Sequence, residues 1–219
     1  MVDGTGIMKK LKTLIHKCRE SNSFLPYVLA KYFLYHLKGR KILANDKVII
    51  SGIGNIRTEG LLQIGMEYVG FMHKYDRTYL NVNGQLNFCG RYSIGKGCRF
   101  DIGRNAIAEF GQGYVGANTH FIIMHGLKVG NGCAISWGCQ FLDEDFHEIE
   151  YEGRIKTRNE IVLGDNVWIG CNVSILKGCV IPDGCVVAAN SVVRGQFSQE
   201  NCLIAGNPAT IVREAISWR

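Results

Sequence analysis

Proline is scarce in this chain, three residues against 27 glycines in 219, so its turns must rest on glycine rather than on the fixed φ of proline. Its nine cysteines include no C-x-x-C pair, which argues against a cysteine-rich zinc site. No apolar run reaches the ~20 residues needed to span a bilayer, and no apolar leader with a cleavage site opens the sequence. Basic residues are not interleaved with aromatics as on a nucleic-acid-binding surface, and the net charge of +6 is modest. These absences leave a soluble globular protein, 47% hydrophobic and 20% charged, long enough for one domain plus an extension. Thiols in this number suit a reducing, cytoplasmic setting.

What is present is a period of six between Leu163 and Val193. Leu163-Gly-Asp-Asn-Val-Trp is followed by Ile169-Gly-Cys-Asn-Val-Ser, Ile175-Leu-Lys-Gly-Cys-Val, Ile181-Pro-Asp-Gly-Cys-Val and Val187-Ala-Ala-Asn-Ser-Val. The first place of each block is aliphatic, and the fifth is small: Val167, Val173, Cys179, Cys185, Ser191. Helices and amphipathic strands repeat at about 3.6 and 2 residues, so neither fits. A solenoid does, with each block supplying one flat face and one turn. The frame recurs at Val129, Ile135 and Phe141 and again at Ile94, which puts Cys98, Cys133 and Cys139 in the fifth place as small hydrophobes. After Phe141 the next mark falls at position 147, yet the frame resumes only at Leu163. Such a break is a loop thrown out from one corner, here inserted at about 142–160, and loops of this kind often build a binding face.

The repeat resembles the hexapeptide-repeat acyltransferases. The resemblance covers about residues 88–219, and Asp165-Asn-Val-Trp-Ile-Gly170 with Ala205-Gly-Asn-Pro-Ala209 and the following Val212-Arg-Glu point to bacterial sugar O-acetyltransferases. It implies an all-β solenoid, a left-handed parallel β-helix with three hexapeptides per triangular coil, assembled as a homotrimer. The β-helix is expected over residues 47–219, after an N-terminal helical extension over 1–46 and with a short C-terminal helix. The extension holds a basic amphipathic stretch from Met8 and an aromatic-rich one from Phe24. Two readings stand for it: a helical pair packed on the β-helix or on a neighbouring subunit, or an interfacial contact with the inner face of a membrane.

Acyl transfer to a hydroxyl needs a base near neutral pH, and histidine is the natural one. His147 lies in Asp143-Glu-Asp-Phe-His-Glu, where the repeat breaks, and the resembling enzymes carry a similar segment with histidine as base. Asp143, Asp145, Glu148 and Glu150 are candidates to orient it, with Asp143 favoured. His120 and His125 have the spacing of a histidine pair in the zinc-binding γ-class carbonic anhydrases. The positions two ideal coils upstream are Gly84 and Cys89, so a third ligand is missing and no metal is expected. By resemblance, Asn118 and His120, with Asp145, line the acceptor pocket. The same resemblance makes acetyl-CoA the donor, lying in a groove between subunits beside Trp168, Gly170 and Cys171. The Cys171 amide faces the thioester oxygen there, and Ala189 contacts pantetheine. Lys177, Arg194 and Arg213 are candidates for the CoA phosphates. Direct O-acetylation of a sugar of a surface polysaccharide is the expected reaction. N-acetylation of a nucleotide-linked amino sugar and a non-catalytic scaffold are the alternatives.

Overall fold

The computed structural model describes residues 4–67, 69–148, 150, 152 and 159–219, with the side chains of 4–7 and 10 left aside. Three parallel sheets form the walls of a prism. The first runs from Ile42–Ala44 through Leu62–Ile64, Tyr92–Ile94, Gly113–Val115, Cys133–Ile135, Trp168–Ile169 and Val186–Val187 to Leu203–Gly206. The second starts at Val48–Ser51 and ends at Val192–Val193, and the third starts at Ile56–Thr58 and ends at Val180–Ile181. The chain visits the walls in turn, one short strand each, as a left-handed parallel β-helix.

The alternation within each strand sends one side chain inward and the next outward. Ile42, Leu62, Tyr92, Val115, Ile135, Ile169, Val187 and Ile204 from the first wall are all buried. Over Leu163–Val193 every coil is three hexapeptides long, as Leu163 pairs with Ile181 and Ile175 with Val193. Upstream coils are longer. Arg99 pairs with Tyr79 behind it and with His120 ahead, whereas three hexapeptides on from Arg99 would reach only Ala117. The additional residues lengthen the strands and widen the prism, and phenylalanine fills the extra width. Phe100, Phe121 and Phe141 stack with ring centroids 4.5 and 4.6 Å apart.

Asparagine and glycine alternate up the corners for a steric reason. Asn118, Asn166, Asn172 and Asn201 have positive φ, and a Cβ on Gly97, Gly132, Gly138 or Gly184 would overlap the carboxamide oxygen of the asparagine one coil on. The fifth-place cysteines are buried, and burial drives their thiols up, Cys98 to about 12 and Cys133, Cys139 and Cys179 to about 11. They behave as small apolar groups.

Helices α1 (Gly4–Glu20) and α2 (Leu25–Leu37) precede the first coil. Cys18, Val28 and Met66 form a small core with Leu14, Leu25 and Leu43, outside the prism. Tyr35 of α2 joins the prism interior. Because the walls are closed by sheets, that side chain enters through the open N-terminal end, which α2 therefore covers. Lys31 Nζ donates to the carbonyls of Asn45, Asp46 and Val48 on this end coil. Strands begin at Ile42, ahead of the expected start at 47. At the other end no C-terminal helix forms. Ala209–Arg213 turns back antiparallel onto Leu203–Gly206, so a hairpin covers the last edge where a helix was expected.

The phenylalanine ladder makes a stability prediction. Phe121→Ala removes the central ring of a fully buried stack and should destabilise the fold by about 3–5 kcal/mol, the usual cost of a buried Phe truncation. The midpoint of urea unfolding checks this, and a shift of less than a quarter of that size would refute it.

Candidate active site at a corner of the prism

Ala134 pairs with Trp168, and Trp168 in turn with Val186, so the first of these coils has nearly twice the length of the second. The surplus equals the break in the repeat. It leaves after Gln140–Leu142 in the second wall and returns at Ile161–Leu163 in the third. Within the expected 142–160 loop, residues 149, 151 and 153–158 lie outside the described residues, whereas 143–148 can be placed.

Three acidic side chains in a row pin the start of this loop. Asp143 is fully buried, and its carboxylate accepts the amides of Met124 at 2.6 Å and of His125 and Gly126 at 2.8 Å each. A buried carboxylate requires such donors, and these come from the corner turn one coil earlier. Asp143, expected to orient His147, holds that turn through both carboxylate oxygens. Glu144 Oε2 lies 2.6 Å from His125 Nε2, and Asn159 Nδ2 lies 2.8 Å from the same ring nitrogen. Glu144 Oε1 accepts the amides of Asp145 (2.8 Å) and Phe146 (3.2 Å). The His125 contact, then the Phe146 amide, holds the Glu144 carboxyl below its ordinary range. Asp145 Oδ2 meets Lys177 Nζ at 2.5 Å, one coil later.

Phe146, between these anchors and His147, has φ +60. A bulky residue in the left-handed region costs about 1–3 kcal/mol, and the Glu144 carboxylate stabilises the turn by holding two of its amides. His147 follows this turn on the exposed surface. The corner thus presents an accessible imidazole on a loop whose root is fixed to the coils on both sides.

The residues expected at the donor lie elsewhere on the same protomer. Gly170 and Cys171 turn the corner between the first and second walls, and a Cβ on Gly170 would stand 2.6 Å from the Ala189 amide. Cys171 carbonyl accepts the Asn190 amide at 2.9 Å, while its own N–H meets no backbone acceptor among the described residues. Trp168 is outward on the first wall, with its ring 5.9 Å from Trp218 and its Nε1 donating to Ser136 Oγ at 3.3 Å. Two of the three candidate cations, Lys177 and Arg194, follow successive strands of the second wall, and Arg213 lies apart on the terminal hairpin. Lys177 is paired with Asp145 at the loop corner, Arg194 is exposed after the second wall, and Arg213 is exposed on the terminal hairpin. Lys177 is thereby tied to the loop rather than grouped with Trp168, Gly170, Cys171 and Ala189.

Asn118 is one of the corner asparagines, its carboxamide over Gly97. His120 projects from the second wall between Arg99 and Gln140, and burial, then the Arg99 guanidinium, pulls it below the ordinary imidazole value. The residue two coils before His120 is Tyr79 by strand register, not Gly84, because these coils exceed three hexapeptides. Among the described residues, no three His, Cys, Asp or Glu side chains come together to hold a metal ion.

Two features escape a reading by spacing alone. The His125–Glu144–Asn159 cluster joins residues far apart in the chain, and spacing presents His125 only as half of a zinc pair. A second insertion lies at 65–77, where Leu62 finds its wall partner only at Tyr92, well beyond three hexapeptides. Its Phe71 ring sits 5.6 Å from Trp137. Trp137 carbonyl accepts the Asn172 amide at 3.0 Å, so this second loop reaches the corner column that carries Cys171 and Ala189. The irregular step is visible in the sequence as a loss of frame before residue 86, but its position is not.

The architecture, short coils with loops expelled at corners, is that of the left-handed parallel β-helices. Residues 160–195 match the family described as "Bacterial transferase hexapeptide (six repeats)". A Klebsiella pneumoniae protein, "Uncharacterized 24.8 kDa protein in cps region", is 37% identical over 216 residues, 97% of each chain. The Escherichia coli K12 "Putative lipopolysaccharide biosynthesis O-acetyl transferase WbbJ" is 30% identical over 148 residues, 62% of this chain and 75% of WbbJ. Among solved structures, AntD, an N-acyltransferase from Bacillus cereus in complex with dTDP and 3-hydroxybutyryl-CoA, shares the fold with TM-score 0.51 at 18% identity, over 80% of each chain. The chain belongs to the hexapeptide-repeat acyltransferases.

The Glu144 clamp can be tested apart from catalysis. In Glu144→Ala the Asp145 and Phe146 amides lose their acceptor, so their hydrogen exchange should accelerate about tenfold or more while exchange in the stacked coils stays unchanged. Equal protection of these two amides in variant and parent would show that Glu144 does not hold the turn.

Proposed function

We propose that this protein transfers an acetyl group from acetyl-CoA to a hydroxyl of a sugar in a surface polysaccharide, with His147 as general base. The observation that carries the reading is the exposed His147 at the head of an anchored corner loop. His147 takes the proton of the acceptor hydroxyl as that oxygen attacks the thioester carbonyl. It then returns the proton as the thiolate of CoA departs. Negative charge building on the carbonyl oxygen is met by the Cys171 N–H, whose lack of a backbone acceptor among the described residues leaves it available as a donor. The AntD complex supports an acyl-CoA donor, and the WbbJ likeness supports O-acetylation of a bacterial surface glycan.

His147 and the Gly170–Cys171–Ala189 group occupy different corners of one protomer. A homotrimer of prisms, each setting its first corner against the loop corner of its neighbour, brings the two groups into one groove. Lys177, engaged by Asp145, then sets the loop, and Arg194, which follows the next strand of the second wall, is the candidate for the phosphates. Asn118 and His120 border the acceptor side in this reading. Burial, then Arg99, disfavours the charged form of His120, which suits a hydrogen-bonding role toward the acceptor.

N-acylation of a nucleotide-linked amino sugar is the second reading, favoured by the fold likeness to AntD. The same base and donor serve it, and the acceptor distinguishes the two.

His147→Ala should lower kcat/KM for acetyl transfer to a de-O-acetylated capsular oligosaccharide by about 10²–10⁴, the usual range for a general base. Affinity for acetyl-CoA should stay within about threefold of the parent. Transfer by the variant at the parental rate would remove His147 from the chemistry. Transfer only to a nucleotide-linked amino sugar would select the second reading.

A further inference from the structure

The positive charge of this protein is concentrated in its N-terminal extension. Residues 1–46 hold nine Lys and Arg against three Asp and Glu, a balance of 9 − 3 = +6. The remaining residues hold 25 − 9 = 16 against 19 − 3 = 16, a balance of 0. The β-helix itself is therefore close to neutral, and the extension accounts for the whole excess.

Helix α2 has two faces at helical spacing. Val28, Lys31 and Tyr35 point to the first coil and are tied down by packing or hydrogen bonds. The opposite face, Ala30, Phe33, Leu34 and Leu37, is turned outward, with Phe33 exposed to 62% and Leu37 to 85%, while the half-exposed Tyr27 ring flanks it beside Lys31. Phe24 just ahead of the helix is exposed as well. An apolar stripe of this length facing water marks a binding site. The chain on either side of this helix is basic and exposed, with Lys9, Lys12 and Arg19 in α1 before it and Lys38 and Lys41 after it; none of these forms an ion pair among the described residues, and Lys41 Nζ donates to the Glu59 carbonyl.

An exposed apolar and aromatic helix face, flanked in the chain by exposed basic residues, fits the boundary between anionic headgroups and acyl chains. No helix among the described residues is long and apolar enough to cross a membrane, so the contact is peripheral. Placement adds to the argument. Because α2 covers the N-terminal end of the prism, any cyclic assembly with its axis along the prism turns every copy of the stripe to the same side. Several weak contacts on one plane then act together.

We propose that the outer face of α2, with the exposed lysines of α1 and of residues 38–41, docks the protein on the surface of an anionic lipid bilayer. This surface is separate from the corner loop, and the proposal stands whatever the acceptor is.

The test is co-sedimentation of the full chain with vesicles of phosphatidylethanolamine and phosphatidylglycerol, alongside neutral phosphatidylcholine vesicles. The parent should bind the anionic vesicles, and binding should fall about tenfold or more both at high salt and on neutral vesicles. Phe33→Glu/Leu37→Glu should lose binding to a similar extent while solution mass by light scattering and thermal unfolding remain parental. Absence of parental binding, or equal binding by the variant, overturns the proposal. So does a fall in the variant's solution mass, which would assign the stripe to contact between copies of the chain.

Discussion

The constraint on which this structure depends is the register between coils. Each inward side chain stacks on its counterpart one coil on, and each backbone amide in the walls meets a carbonyl of the adjacent coil. One residue too many within a wall would turn every following side chain from the interior to solvent. Surplus residues can therefore be kept only as lengthened strands, with the interior refilled to match, or expelled at a corner. The chain uses both solutions. Phenylalanine fills the wide upstream coils, where the later coils have Ile, Val and Cys. Two insertions leave at corners, and they do so at two different corners.

Expulsion at a corner creates a problem that the acidic run solves. A loop leaving the prism strands the amides of the coil before it, and Asp143 supplies those amides with a buried carboxylate. Glu144 and Asp145 then tie the loop to His125 on one side and Lys177 on the other. The left-handed turn at Phe146 is tolerated because Glu144 holds its amides, and His147 emerges from it. In the proposed function His147 is a base that must meet two substrates at once, and a fixed origin serves that role, since productive geometry tolerates little displacement. In that reading anchoring and chemistry are divided among neighbours in one short segment.

Much of this is legible from the residues. From Leu163 to Val193 the coil length is constant, so the marks of the hexapeptide translate directly into walls and corners. The size of the corner insertion follows from the same marks. Upstream the marks drift, because the wider coils share no fixed period with the later ones. That drift also misplaces the residues stacked before His120. The partners of Asp143 and Lys177 are illegible for a related reason: they lie one coil away, a distance in sequence that depends on the local coil length. The terminal segment folds as a hairpin because its residues complete the last exposed edge, a tertiary demand that local pattern does not reveal. For the N-terminal helices, the inner face is readable as packing, whereas the end of the prism they cover becomes clear only with Tyr35 in place.

The proposed reaction requires the Gly170–Cys171 corner of this prism to receive an acyl-CoA. Calorimetric titration of acetyl-CoA into the purified full-length protein tests it most directly, with no acceptor required. The account predicts saturable binding with a Kd on the order of micromolar, about one site for each chain, weakened by Ala189→Trp, which crowds the Gly170–Cys171 corner. A titration with no saturable heat, or binding indifferent to that substitution, would contradict it.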